Sequence, residues 1–315
     1  MTVSEHLTEW HGLPVFDFPA AKSTAELPAA AEVAWRIAVE PYDDDPEKWT
    51  AAFARFLAAV DTTEVTALIV GQWGEAYEDS VDIVVEALTG AKDRFPALRA
   101  LFIGDITFEQ AEITWIEQGD ITPLLAAFPG LLAFGVRGGQ NLAFPAVTHQ
   151  ALRTLIVEAG GLGADVVRGI GASEFPELEH LDIWLGTSWY GADATVDDLE
   201  PFLTGTRLPK LQHLALRNSD IQDDVAAALA GAPVVARLHT LDLSMGTLGN
   251  EGVEALLGGQ PLTHLRKLDL HHHFVGETLA DRLLAELGAD GVEVDLSGRE
   301  AADRGREDRY TAVSE

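Results

Sequence analysis

A leucine pattern repeated along the chain constrains its fold more than any other sequence feature. Six-residue segments that match L-x-x-L-x-L, with Val, Ile or Phe at some leucine positions, begin at residues 65, 98, 131, 152, 178, 211, 238 and 265. Successive starts lie 33, 33, 21, 26, 33, 27 and 27 residues apart. Weaker copies occur at residues 34–39 and 292–296. Periods of this length are typical of repeat proteins, in which each unit packs against its neighbours.

Each unit is expected to form a short strand followed by a helical or irregular return. The first, fourth and sixth positions should point into a shared core, because side chains alternate along a strand. Returns are predicted at residues 79–88, 196–203, 223–229, 251–257 and 279–287, and Thr195 and Asp198 have the spacing of a capping box. The pattern therefore predicts an α/β leucine-rich-repeat solenoid, or horseshoe, with a parallel β-sheet on the concave face and helices on the convex face.

The repeat sequence also resembles known proteins. Residues 241–256, LDLSMGTLGNEGVEAL, resemble the ribonuclease-inhibitor subclass of leucine-rich repeats. Together with residues 6–19 and 104–116, the chain resembles an uncharacterised bacterial family of such proteins over residues 5–298, which implies a cytosolic protein with no assigned activity. The ninth repeat position departs from the usual Asn or Cys. It reads Trp73, Ile106, Gly139, Gly160, Gly186, Ser219, Gly246 and His273. The usual ladder that satisfies loop backbone groups is therefore missing, and its replacement is open.

The two ends of the chain differ from the repeats. Residues 1–62 are predicted to form an N-terminal capping segment, with an amphipathic helix over residues 49–60 that covers the first open edge of the core. Residues 63–298 are predicted to form the solenoid. Residues 299–315 alternate in charge and are almost free of apolar side chains, so they are predicted to be a disordered tail.

The charge of the chain excludes several classes of partner. The 315 residues carry 21 basic and 51 acidic side chains, a formal net charge of −30. Nonspecific nucleic-acid binding and docking on anionic lipid both need Lys and Arg, so neither nucleic acid nor membrane is expected as a partner. No cysteine is present, and the first 21 residues lack the basic start of a signal peptide. A cytoplasmic location is therefore expected.

The usual chemical motifs are absent or have a structural explanation. The run from His271 to His273 places adjacent side chains on opposite faces of a strand, so the imidazoles should not converge on a metal ion. The run from Asp43 to Asp45 lacks the spacing of a calcium loop and lies between prolines, as expected for a turn. No G-x-S-x-G or H-E-x-x-H motif occurs. We therefore expect no enzyme activity, no cofactor and no metal site.

Outward repeat positions give the strongest indication of function. The fifth position reads Ile69, Phe102, Gly135, Ile156, Asp182, Ala215, Asp242 and Asp269, and the seventh reads Gly71, Gly104, Arg137, Glu158, Trp184, Arg217, Ser244 and His271. The N-terminal half of the concave face is thus apolar and the C-terminal half polar. One interpretation is structural: the N-terminal segment covers Phe102 and Ile156, and the aspartates are merely solvated.

The functional interpretation is a protein-binding or scaffold module, one form of which regulates a partner enzyme. Trp184 and Arg217 would anchor the partner, because exposed aromatic and Arg side chains dominate binding hot spots. The residues predicted to contact the partner are Asp182, Trp184, Trp189, Tyr190, Arg217, Asp242, Asp269 and His271. The net charge predicts a basic patch on that partner. The alternative is an enzyme whose site consists of Asp182, Asp242, Asp269 and His271.

Overall fold

One twelve-stranded sheet and eight α-helices form the regular structure of residues 3–301 and 308–314, which the computed structural model describes. The strands are β1 (Glu9–Trp10), β2 (Leu13–Asp17), β3 (Ala34–Ile37), β4 (Ala67–Val70), β5 (Ala100–Ile103), β6 (Ala133–Arg137), β7 (Thr154–Glu158), β8 (His180–Gly186), β9 (His213–Ser219), β10 (Thr240–Asp242), β11 (Lys267–Asp269) and β12 (Glu293–Asp295). They lie in chain order, and every neighbouring pair except β1 and β2 is parallel.

The strands pair in the register that the leucine pattern predicts. Leu241 lies opposite Leu214 on one side and Leu268 on the other. All three side chains are fully buried, so the prediction that Leu241 and Leu268 are equivalent core positions is confirmed. The weak copies at both ends also form strands, β3 and β12, in the same sheet.

The helices pack against one face of the sheet, and most of the core lies between them. The helices are α1 (Trp49–Ala59), α2 (Asp82–Gly90), α3 (Thr122–Ala127), α4 (Ala164–Ala172), α5 (Glu200–Thr204), α6 (Gln222–Leu229), α7 (Asn250–Gly258) and α8 (Glu277–Gly288). The predicted capping box at Thr195 is present, where a 3-10 helix, Val196–Leu199, runs into α5. The helices α3 and α4 were not predicted. No helix of the described residues is long and apolar enough to cross a bilayer.

Glutamine and histidine side chains replace the missing ladder in two of the loops. His273 is 1% exposed; its Nε2 lies 3.0 Å from the Leu296 carbonyl oxygen, and its Nδ1 accepts the Val275 N–H. Gln222 donates to the carbonyl of Leu216 and accepts the N–H of Ser219. Each side chain therefore satisfies one donor and one acceptor of the loop backbone, as an Asn would.

The N-terminal residues lie across the second face of the sheet, the face turned away from the helices. The Trp10 ring packs edge-on against Phe102 at 5.3 Å, within a second apolar cluster that Ile156 borders. The Leu7 N–H donates to the Asp105 carboxylate 98 residues away. The structural interpretation is therefore confirmed for the apolar half of this face: the N-terminal segment covers Phe102, which is 1% exposed.

The prediction of a disordered C-terminal tail is wrong for residues 308–314; residues 302–307 and 315 lie outside the described part of the chain. The Val313 backbone exchanges two hydrogen bonds with the Asn218 side chain, at 2.6 and 3.0 Å. The Ala312 N–H donates to the Met245 carbonyl, and the Tyr310 carbonyl lies 3.0 Å from Nε2 of His272. Asn218, Met245 and His272 occupy the eighth position of three successive repeats. The tail therefore packs along the end of β9 and the loops that follow β10 and β11.

Candidate partner-binding site

The apolar half of the second face is bordered by a buried ion-pair network. Arg36 and Arg137 lie 2.8 and 3.3 Å from the two oxygens of Asp105, and Arg137 also donates to Glu158 at 2.6 Å. Burial alone would raise the pKa of Asp105, but the nearby His6 and the two arginines lower it. Sequence reasoning missed Asp105 and Arg36. Arg36 pairs in register with Ile69, so it extends the fifth-position row into the weak N-terminal copy, whereas Asp105 occupies the eighth position and lies outside both rows. This network fixes the N-terminal segment against the sheet.

The two predicted anchors are engaged inside the protein. The Arg217 guanidinium donates to both oxygens of Asp182, at 3.0 and 2.6 Å, and lies 3.5 Å from Asp242. It also lies over the Trp184 ring, 5.2 Å from the ring centroid. The expectation that Trp184 is a surface side chain is wrong, since it is only 7% exposed. Neighbouring strands do place the two residues side by side, as predicted, but they bind each other.

The predicted aspartate row exists, but its side chains do not face solvent freely. Asp182, Asp242 and Asp269 are all less than 9% exposed, so the interpretation that they are merely solvated is wrong. Asp242 pairs in register with Asp269, which pairs with Asp295 on β12. Burial raises the pKa of Asp242, although Arg217 opposes this effect. Three carboxylates on adjacent strands repel one another, so nearby cations are needed to hold them.

Arg217 lies beside Asp242, and Lys267 and, when protonated, His271 lie beside Asp269. Nζ of Lys267 and Nδ1 of His271 lie 2.9 and 2.7 Å from the two oxygens of Asp269. Burial would raise the pKa of Asp269, but the bonds with His271 and Lys267 outweigh this effect and lower the pKa. The bond between Asp269 and His271 also raises the pKa of His271. Ligand atoms of Asp269, His271 and Asp295 lie within 4.8 Å of one another, an arrangement that could hold a cation. Lys267 already balances part of this charge without a metal ion.

A histidine pair on the same face was also missed. His180 and His213 occupy the third position of adjacent repeats, and their rings stack with centroids 3.8 Å apart and planes 9° apart. Burial lowers the pKa of both histidines. For His213 the neighbouring imidazole adds to this effect, and the pKa falls to about 4. Extending the outward rows to the third repeat position would have revealed this pair.

The most exposed of the predicted residues lies beside the sheet, in the loop after β8. Trp189 is 90% exposed, and the 3-10 turn Ser188–Tyr190 carries it. The turn and the C-terminal tail form the walls of a cleft of about 400 Å³. The residues that line it are Thr187, Trp189, Tyr190, Asp220, Thr247, Arg309, Tyr310, Thr311 and Ser314. Of the predicted contact residues, only Trp189 and Tyr190 line this cleft.

The tail contributes residues that the sequence pattern did not indicate. Arg309 lines the cleft, and its guanidinium is held by bonds to Asp223 at 2.6 Å and to the Thr247 carbonyl. Tyr310 is 49% exposed, and its hydroxyl donates to Glu300. No local signal marks these two side chains, because the tail reaches the cleft only through bonds to distant repeats.

Comparisons with known proteins agree with the fold. No protein-family model matches the chain, and no curated protein matches it. A crystal structure of a protein from Bacteroides fragilis is similar, with a TM-score of 0.77 and 27% sequence identity. The similarity covers 84% of this chain and 73% of that one. The comparisons therefore bear on the architecture, a mixed α/β chain with one open, mostly parallel sheet.

Proposed function

We propose that this protein is a non-enzymatic, cytoplasmic leucine-rich-repeat module that binds a protein partner. The binding surface combines the polar C-terminal half of the second face, as the concave face of a solenoid, with the cleft beside Trp189. The observation that carries the proposal is the 90% exposure of Trp189 at the mouth of a cleft. Moving a large aromatic side chain from water into an interface is strongly favourable, so an exposed Trp is well suited to bind a partner.

The other aromatic and Arg candidates support this choice by elimination. Trp184 and Arg217 are engaged with each other and with Asp182. The N-terminal segment occupies the apolar half of the second face. The accessible remainder is the polar half, where His271 is partly exposed, and the cleft. Asp220 in the cleft and the net charge of −30 favour a partner with a basic patch, which would make association sensitive to salt.

The test is affinity capture from a lysate of the organism that makes the protein, with quantitative mass spectrometry. Trp189→Ala should abolish capture of the partner at an unchanged melting temperature, because the side chain contributes almost nothing to the fold. Trp115→Ala is the matched control, since Trp115 is 58% exposed and does not line the cleft. Full retention of every captured protein by folded Trp189→Ala would overturn the proposal.

A further inference from the structure

The cleft beside Trp189 combines an exposed aromatic ring with a carboxylate. We infer, on the basis of the proposed function, that it binds an arginine side chain of the partner. The guanidinium would stack on the Trp189 ring, and its N–H groups would donate to the Asp220 carboxylate. Both residues line the same cleft of about 400 Å³, a volume sufficient for one long side chain and its flanking backbone.

The turn that presents Trp189 is held in place before any ligand arrives. Oδ2 of Asp220 accepts hydrogen bonds from the Ser188 backbone N–H and hydroxyl, both at 2.8 Å. The Thr187 hydroxyl caps the turn by accepting the Trp189 N–H. Gly191 ends it with a φ of 94°, a conformation that favours glycine. Because the backbone is fixed, binding orders only the side chain and loses little entropy.

The opposite wall is equally well ordered. The Tyr310 ring packs edge-on against Phe274 and His272, each at a centroid distance of 5.4 Å. Its hydroxyl donates to Glu300 at 2.7 Å. Aromatic side chains from two separate segments therefore line the cleft, a composition suited to a flat cationic group.

The charges of the residues that line the cleft favour a cation as the ligand. Among the described residues, Arg309 is the only basic side chain that lines the cleft, and Asp223 already neutralises it at 2.6 Å. Asp220 forms no ion pair with any described residue, and its bonds from Ser188 and Thr187 all use Oδ2. A partner cation would therefore meet an uncompensated carboxylate in a chain of net charge −30.

Arginine fits this arrangement better than lysine or a neutral sugar. A guanidinium is planar and stacks on an indole while it donates N–H groups within its own plane, which a compact ammonium does not. A sugar could stack on Trp189, but it would leave the Asp220 charge without a counter-ion. The combination of Trp189 and Asp220 thus favours arginine.

The experiment uses the full chain labelled with 5-fluorotryptophan, which gives one ¹⁹F signal for each of the seven tryptophans. Trp189→Phe assigns the Trp189 signal by its disappearance. The probe is the peptide acetyl-Gly-Arg-Gly-amide, and the matched control replaces arginine by citrulline, which has the same shape without the charge. We expect the arginine peptide to shift the Trp189 signal saturably, while the Trp115 signal stays in place.

The citrulline peptide should bind about tenfold more weakly, and Asp220→Asn should weaken binding of the arginine peptide by a similar factor. The amide oxygen that this substitution introduces can still accept the Ser188 N–H, and the peptide comparison on the unaltered protein needs no variant. Equal affinity for both peptides would overturn the inference. The inference would also be overturned if the arginine peptide produced no saturable shift of the Trp189 signal, or if maltotriose produced one instead. If Trp189→Ala loses the captured partner but the arginine peptide does not bind, the proposed function stands and this inference falls.

Discussion

Arg217 illustrates, at the scale of single residues, how outward side chains stabilise this fold. Its guanidinium bridges Asp182 and Asp242 on the two neighbouring strands and covers the Trp184 ring. Burial would lower the pKa of Arg217, but the two carboxylates outweigh it and raise the pKa. Deleting only one partner of such a buried ion pair strongly destabilises the folded protein, because the other charge stays buried without a counter-ion.

We predict that Asp182→Ala lowers the free energy of unfolding by about 3 kcal/mol, because Arg217 loses its two-point acceptor. Asp242→Ala should cost less, since Arg217 keeps both bonds to Asp182 and one repulsive carboxylate disappears. Urea denaturation of the two variants measures the difference. Equal losses, or a larger loss for Asp242→Ala, would contradict the prediction, because Asp242 would then stabilise Arg217 at least as much as Asp182 does.

The stacked histidines predict a dependence of stability on pH. Burial and the neighbouring His180 lower the pKa of His213 to about 4 in the folded protein, while an unfolded histidine titrates near 6.5. Between these values the unfolded chain binds more protons, so the free energy of unfolding should fall as the pH decreases from about 6.5 to about 4. His213→Gln should reduce this slope. Urea denaturation at several pH values tests it, and an unchanged slope would contradict the prediction.

At the scale of structural elements, two glycines after β7 make room for segments from elsewhere in the chain. A Cβ on Gly160 would lie 2.7 Å from the Ser314 carbonyl oxygen and 2.5 Å from Cγ2 of Thr114. A Cβ on Gly161 would collide with the carbonyl oxygen of Tyr190. The tail and the Trp189 turn can therefore approach the sheet edge only where side chains are missing.

Gly160→Ala should lower the free energy of unfolding by about 1–3 kcal/mol and loosen the tail, because the tail backbone must move to admit the methyl group. Gly231→Ala is the matched control: a Cβ there has no atom within 4 Å, and its φ lies outside the positive range that strains alanine. Thermal unfolding and hydrogen exchange at Ala312 and Val313 report both effects. Unaltered exchange in Gly160→Ala would place the tail elsewhere.

At the scale of the whole molecule, the excess of acidic groups opposes folding. A formal charge of −30 must be concentrated when the chain becomes compact, so the repulsion is greater in the folded state. The ion pairs around Arg217 and Asp105 are largely buried and only weakly screened by salt. The repulsion among exposed carboxylates is screened within a Debye length. The two contributions therefore respond differently to ionic strength.

We predict that raising the NaCl concentration from about 10 mM to about 150 mM increases the melting temperature, because the Debye length falls from about 30 Å to about 8 Å. Scanning calorimetry at constant pH measures the change, and KCl at the same concentrations should act alike. A melting temperature that decreases with salt would mean that exposed ion pairs, rather than repulsion, dominate the surface.

The sequence determined the order and register of the strands. Leu241 and Leu268 are buried opposite each other because the repeat fixes which side chains of a strand point inward, a property of the local backbone. The helices from α6 to α8 were predictable for the same reason, as their apolar positions recur with the strands. The helix α4 was missed because Gly169 and Gly171 interrupt its apolar pattern.

Only the tertiary structure decided which outward side chains are accessible. A repeat position gives the direction of a side chain, but its exposure depends on segments that pack over it from far along the chain. Leu7 reaches Asp105 from 98 residues away, and Val313 reaches Asn218 from 95 residues away. The repeat pattern favoured Trp184 as the anchor over Trp189, yet Trp184 is 7% and Trp189 90% exposed. Contacts of such long range leave no periodic signal, so the cleft beside Trp189 could be found only in the folded molecule.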